Sequence, residues 1–89
     1  MQVKKLAGSV FTALPDGTGV LLNLATLIYF GLNSTGASVW QEIDQVEAAD
    51  LDQLVQCVCA RFEVDRAFAR KEIAIFIERL ASLGLIQII

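Results

Sequence analysis

The chain has 89 residues, of which 55% are hydrophobic and 19% charged, and this predicts one compact domain over residues 1–89. Its formal net charge of -3 disfavours a nucleic-acid partner, because nucleic-acid binding normally requires a basic surface. The absence of histidine excludes Ser-His and Cys-His nucleophile pairs and histidine-containing metal sites, so we do not expect an enzyme.

Three segments of strand-like composition follow the first eight residues. Residues 9–14 (SVFTAL) are rich in β-branched and aromatic side chains and end at Pro15-Asp16-Gly17, which is a turn sequence. Residues 19–24 (GVLLNL) and 27–32 (LIYFGL) are separated only by Ala25 and Thr26, a spacing that predicts a tight hairpin. Connections this short predict an antiparallel, three-stranded meander.

The periodicity then becomes helical. It predicts a first helix that is capped by Ser34 or Thr35 and ends near Asp44, a second over residues 51–62 and a third over residues 66–83. Gly84 is expected to end the third helix, and residues 85–89 to pack as an apolar tail. The capping residues are Ser34 or Thr35, Asp50 and Asp65.

Residues 17–41 contain no charged side chain, which raises the question of a membrane-spanning helix. Interruptions by Asn23 and Asn33, together with the change from strand to helix periodicity, argue against one. Cys57 and Cys59 lie two positions apart in a predicted helix, so they point to different sides and cannot pair with each other. Free thiols are typical of a reducing compartment, and we expect a cytoplasmic protein with no membrane partner.

No pattern predicts a catalytic residue, a metal ion or a cofactor. Gly17-Thr18-Gly19 lacks the spacing of a phosphate-binding loop and is interpreted as a turn. Residues 42–52 contain five acidic side chains but not the spacing of a calcium loop, and are interpreted as a solvated surface.

The predicted third strand has no Lys, Glu or Pro, the residues that usually protect an exposed sheet edge. Two interpretations remain open for residues 27–32. The strand can be internal or covered by the C-terminal tail, or its edge can be kept for a partner. The partner would be a peptide added as a further strand or a second copy of the chain in a homodimer.

Taken in order, several segments resemble the PqqD-like family, whose small domains are also called RiPP recognition elements. They are GVLLxL at residues 19–24, YFGLNxTGxxxW at residues 29–40 and IxxFxxxLxxxGL at residues 73–85. The most specific segment is the Leu32-Asn33-x-Thr35-Gly36 junction with Trp40 downstream. The resemblance covers residues 9–86 and implies an α+β, winged-helix-like fold of three antiparallel strands followed by three helices.

The resemblance also implies a function. Members bind the leader segment of a ribosomally synthesised precursor peptide and present it to a modifying enzyme or leader peptidase, without catalysis of their own. The leader lies as an extra strand beside the third strand, in a groove shared with the third helix. Carried over to this sequence, the peptide-binding residues are Leu27, Ile28, Tyr29, Phe30, Gly31 and Leu32 on the strand, and Arg66, Arg70, Ile73, Ala74, Phe76 and Ile77 on the helix.

The sequence departs from the family pattern at Leu27 and Ile28, where relatives commonly carry a glycine and a polar residue. This apolar edge raises the expectation of a homodimer. Trp40 and the chain length are closer to free-standing elements of lasso-peptide pathways than to the pyrroloquinoline quinone protein. Two alternatives remain. One is a winged-helix DNA-binding regulator whose DNA-recognition helix would carry Arg66, Arg70, Lys71 and Arg79. The other is a structural dimerisation module.

Overall fold

The computed structural model describes all 89 residues, which form six strands and three helices joined by turns and loops. The strands are β1 (Gln2–Lys5), β2 (Ser9–Ala13), β3 (Gly19–Asn23), β4 (Ile28–Leu32), β5 (Ala49–Asp50) and β6 (Ile86–Ile88). The helices are α1 (Ser34–Gln45), α2 (Leu51–Arg61) and α3 (Arg66–Ser82). The α+β prediction and its three helices are therefore confirmed.

The predicted meander is the sheet β2-β3-β4, in which both pairs are antiparallel. Asp16 closes the first turn, because its Oδ1 accepts hydrogen bonds from the Thr18 amide and hydroxyl groups. The second connection differs from the prediction. Leu27 has a φ of 59°, in the left-handed region, so it belongs to a four-residue loop, and β4 begins one residue later, at Ile28.

A second sheet, in the order β5-β1-β6, was not predicted. Val3 lies at its centre, with Ala49 as its partner on one side and Ile88 on the other. The sheet joins both ends of the chain to the segment between α1 and α2. The C-terminal tail therefore packs against the domain as expected, but as a strand of this sheet, and it leaves β4 uncovered.

Local capping residues position the three helices. Asn33 caps α1, since its Oδ1 accepts from the Gly36 amide at 2.8 Å, so the predicted cap at Ser34 or Thr35 is displaced by one or two residues. Asp50 and Asp65 cap α2 and α3 as predicted, and Gly84 follows α3 with a φ of 76°.

The core is one cluster of 18 buried apolar residues contributed by all three helices and both sheets. Trp40 of α1, Leu54 of α2 and Ile77 of α3 are almost completely buried in it. Trp40 is therefore part of the core. No helix combines the length and the apolar character needed to cross a bilayer.

Candidate functional site: the β4 edge and the groove beside α3

The free edge of β4 is the starting point of the site. β4 has a partner only on the β3 side, so its opposite edge carries no strand. The amide of Leu24 donates to the Gly8 carbonyl at 2.8 Å, and the amide of Leu14 donates to the Thr18 carbonyl at 2.9 Å. Both bonds follow the register of β2 and β3, so the even-numbered residues of β3 form their main-chain hydrogen bonds with β2. The odd-numbered residues Gly19, Leu21 and Asn23 form theirs with β4.

The alternation then continues across β4. Leu21 is opposite Phe30, so Ile28, Phe30 and Leu32 use their main-chain groups on β3. Tyr29 and Gly31 consequently direct their N–H and C=O groups to the free edge. This is the arrangement that an added strand requires.

The side chains of β4 alternate as well. Phe30 and Leu32 lie on the inner face with buried Leu21, and Leu32 is itself buried. Tyr29 lies on the outer face and is 67% exposed. An adjacent strand would therefore meet an apolar inner face and an exposed aromatic ring on the other side.

Helix α3 runs antiparallel to β4 on this inner face. Near the start of β4, Asn23 Nδ2 donates to the Leu83 carbonyl at 3.1 Å. Beyond its end, Phe76 lies against Gly36, where a Cβ would stand 3.4 Å from Phe76 Cζ. The two contacts fix one end of the strand–helix space at Leu83 and the other at Phe76.

Two adjoining depressions lie along this side of α3, one against β4 and one against α1, and we call them together the groove. The β4–α3 depression has a volume of about 250 Å³. The α1–α3 depression has a volume of about 380 Å³ and includes the N-terminus of α1. Phe76 and Arg79 line both. The other lining residues are Tyr29, Phe30, Gly31, Leu32, Leu80 and Leu83 in the first depression, and Asn33, Thr35, Gly36, Val39, Glu72, Ile73 and Ile75 in the second.

The groove is mostly apolar but contains two charged side chains. Arg79 is the only charged residue of the β4–α3 depression, whereas Glu72 lines only the α1–α3 depression. Neither takes part in the three ion pairs of the protein. The two charges lie seven residues apart on α3, which corresponds to about 10 Å along a helix.

The structure brings six of the predicted peptide-binding residues into the groove: Tyr29, Phe30, Gly31, Leu32, Ile73 and Phe76. Ile28 is exposed at the start of β4, and Leu27 lies in the preceding loop.

Four predicted residues of α3 do not line the groove. Arg70 forms an ion pair with Asp52 of α2, and Ile77 is fully buried in the core. Arg66 and Ala74 are likewise absent from both linings. The flank of α3 that faces β4 is instead the one with Phe76, Arg79, Leu80 and Leu83. In the sequence, these four residues have the spacing i, i+3, i+4, i+7, which places them on one face of a helix. This spacing alone does not show whether that face lines a groove or meets the core.

Two polar groups outside the groove, the Cys57 thiol and the Asp52 carboxyl, have shifted pKa values. Burial and the nearby Glu42 carboxylate raise the pKa of the Cys57 thiol, which opposes formation of a thiolate. The hydrogen bond and charge of Arg70 lower the pKa of the Asp52 carboxyl on the surface. No group of three or more acidic or thiol side chains converges on a point that could hold a metal ion.

Comparison with known proteins identifies the family. The model for the family described as Coenzyme PQQ synthesis protein D (PqqD) matches residues 18–86, from the first turn to the start of β6. The protein belongs to the PqqD family. A search of curated proteins gives no match.

Two solved structures share the whole fold of this PqqD family protein. One is described as TbiB1 in complex with the TbiA(beta) leader peptide, with 28% identity, 94% coverage of each chain and a TM-score of 0.83. The other is a lasso peptide synthetase B1 complexed with the leader peptide. Its identity is 23%, its TM-score 0.77, and the alignment covers 97% of this chain and 98% of that one.

Proposed function

We propose that this PqqD family protein is a non-catalytic recognition element of a RiPP pathway, cytoplasmic and active as one domain. It binds the leader segment of a ribosomally synthesised precursor peptide as an additional strand on β4. It then presents the precursor to a modifying enzyme or leader peptidase of the same pathway. The relatives of similar fold that were solved with leader peptides support a lasso-peptide or related pathway.

The observation that carries the proposal is the unpaired edge of β4 beside an apolar groove. An extended peptide gains main-chain hydrogen bonds from Tyr29 and Gly31. Every second side chain of the peptide then enters the groove, where Phe30, Phe76 and Leu80 offer apolar contact. The affinity comes from the main-chain hydrogen bonds and from the apolar side-chain contacts, because main-chain hydrogen bonds alone would form with a peptide of any sequence.

The same edge could pair with a second copy of the protein, so a homodimer is the competing use of the site. A DNA-binding role has less support. The arginines of α3 do not form one basic surface, since Arg70 is paired with Asp52 and Arg79 lines the groove. Exposed Phe68 and Ile75 on the same helix are also unsuited to a phosphate backbone.

The test is a titration with a synthetic peptide that corresponds to the N-terminal half of the precursor encoded beside this protein's gene. We expect amide chemical-shift changes concentrated in β4 and in the Phe76–Leu83 part of α3. The decisive pair of variants is Gly31→Pro and Gly31→Ala. A Cβ at Gly31 meets no atom within 4 Å, so alanine adds no clash, and only proline removes the edge N–H group. Thermal unfolding of both variants checks that each is folded.

We expect Gly31→Pro to weaken peptide binding by about tenfold, in line with the loss of one hydrogen bond and its neighbours, and Gly31→Ala to change it by less than about threefold. Equal weakening by the two variants would contradict strand addition. Absence of peptide binding in a stable dimer, detected by sedimentation, would assign the edge to self-association.

A further inference from the structure

We infer that the groove selects leader segments that place an acidic side chain against Arg79. The inference rests on the proposed function and names the chemical class of peptide that the site accepts. It concerns one position of the peptide, next to the apolar side chain that enters the β4–α3 depression.

Arg79 is available for such a contact because the protein itself does not neutralise it. The positions one helical turn away, where an acidic partner would stand, are occupied by Ile75, Phe76, Ser82 and Leu83. None of the three ion pairs includes Arg79.

The other cations are placed differently. Lys5 is paired with Asp44, and Arg70 with Asp52. Lys4, Arg61, Arg66 and Lys71 line neither depression. Arg79 is thus the one cation that a peptide in the groove would meet.

The surroundings of Arg79 strengthen the preference. The β4–α3 depression contains no acidic side chain, and most of its lining is apolar. A bound peptide covers this lining and excludes water, so a carboxylate there interacts with the guanidinium in a less polar medium. The planar guanidinium can also hold a carboxylate with two parallel hydrogen bonds, which a lysine could not do.

Glu72 gives the preference a direction along the groove. It lines the α1–α3 depression, about 10 Å from Arg79 along α3, so an acidic side chain at that end would meet a like charge. The groove therefore favours a peptide that has an acidic side chain near β4 and none near the N-terminus of α1. Because the net charge of the protein is -3, this selection acts locally and not through long-range attraction.

The probe is a displayed library of random 14-residue peptides, selected for binding to the purified full-length protein. Five proteins are compared: wild type, Arg79→Gln, Arg79→Glu and the two controls Lys71→Glu and Gly31→Pro. Lys71 is exposed on the same helix but lies outside the groove and outside every ion pair, so its reversal changes the net charge by the same amount as Arg79→Glu. Gly31→Pro serves as the control for edge binding.

We expect wild type and Lys71→Glu to enrich Asp or Glu at one fixed position relative to the apolar anchors. Arg79→Gln should lose this enrichment, and Arg79→Glu should enrich Lys or Arg there while the apolar positions persist. A synthetic peptide from the wild-type selection should bind Arg79→Gln about three- to tenfold more weakly, and its Gln-substituted form should bind both proteins equally.

The outcomes separate the two proposals. Peptides that require the Gly31 N–H group but show no acidic preference, or the same preference with Arg79→Glu, would overturn the inference and leave strand addition intact. Binding that Gly31→Pro does not weaken would overturn strand addition. A selection that yields no peptide binder would overturn both.

Discussion

The side chain of Asn23 joins the end of β3 to the last turn of α3 through its hydrogen bond to the Leu83 carbonyl, although 60 residues separate the two in the chain. Its Oδ1 also accepts from the Ala25 amide at 2.9 Å, inside the loop that leads to β4. One buried amide group therefore sets both the geometry of the loop and the distance between β4 and α3. The width of the groove depends on it.

Replacement of Asn23 by alanine should destabilise the protein by about 1–3 kcal/mol, because it removes both hydrogen bonds that this buried side chain forms with main-chain groups. Asn23→Asp should be no more stable than Asn23→Ala, since it keeps the acceptor for Ala25 but cannot donate to Leu83. Urea unfolding measures both. Thr26→Ala in the same exposed loop is the control and should cost no more than about 0.5 kcal/mol. A loss at Thr26 as large as at Asn23 would contradict the assignment.

Proline substitutions should distinguish the two edges of β4. Phe30 bonds β3, so Phe30→Pro should lower the free energy of unfolding by at least about 2 kcal/mol. Tyr29 directs its N–H group to the free edge, so Tyr29→Pro should change stability by less than about 1 kcal/mol while it weakens peptide binding. Thermal unfolding and peptide titration provide the two measurements. Tyr29→Ala is the control for loss of the aromatic ring, and equal destabilisation by the two prolines would refute the deduced hydrogen-bond alternation.

Two exposed apolar residues of α3 should differ in their contribution to binding. Ile75 lines the groove, whereas Phe68 lies outside it, and the two are 53% and 58% exposed. Ile75→Ala should weaken peptide binding by about fivefold with little change in stability, because it removes apolar contact area from the groove. Phe68→Ala should leave the affinity unchanged. Isothermal titration tests the pair, and an effect of Phe68 equal to that of Ile75 would extend the site beyond the groove.

The ion pair between Arg70 and Asp52 should be visible in the titration of the carboxyl group. Arg70 lowers the pKa of Asp52 below its ordinary value of 3.8, so Arg70→Gln should raise it towards that value. Because the folded-state pKa is the lower one, the pair stabilises the protein above pH 3.8 and this contribution disappears as the pH falls through the folded-state pKa. Carbon-13 NMR of the side chain gives the midpoint in both proteins.

The same variant tests the position of Arg70 relative to the site. Arg70 lies outside the groove, so we expect Arg70→Gln to leave peptide affinity at pH 7 unchanged. Arg79→Gln provides the comparison within the same helix. A loss of affinity with Arg70→Gln would indicate that the peptide contacts the flank of α3 with Arg66 and Arg70, as the family resemblance implied.

The helices and the meander could be predicted because the signals that produce them are local. Asp50 and Asp65 cap the helices that follow them, and Gly84 adopts the left-handed conformation that ends α3. The sequence left two alternatives for β4, a covered strand or a free edge, and the lack of protecting charges favoured the free edge. The tertiary structure shows a free edge, because the C-terminal strand pairs with β1 instead of covering β4.

The second sheet and the groove wall required the tertiary structure. The strands of β5-β1-β6 have only two to four residues each and join Val3 to Ala49 and Ile88, so no local pattern identifies them. The sequence determined that α3 has an apolar stripe, but packing determined its rotation. Ile77 entered the core, and Phe76 and Arg79 were left to face β4. A helix turns by about 100° per residue, so neighbouring residues of the stripe face different surfaces, and only contact with the sheet decides which of them lines the groove.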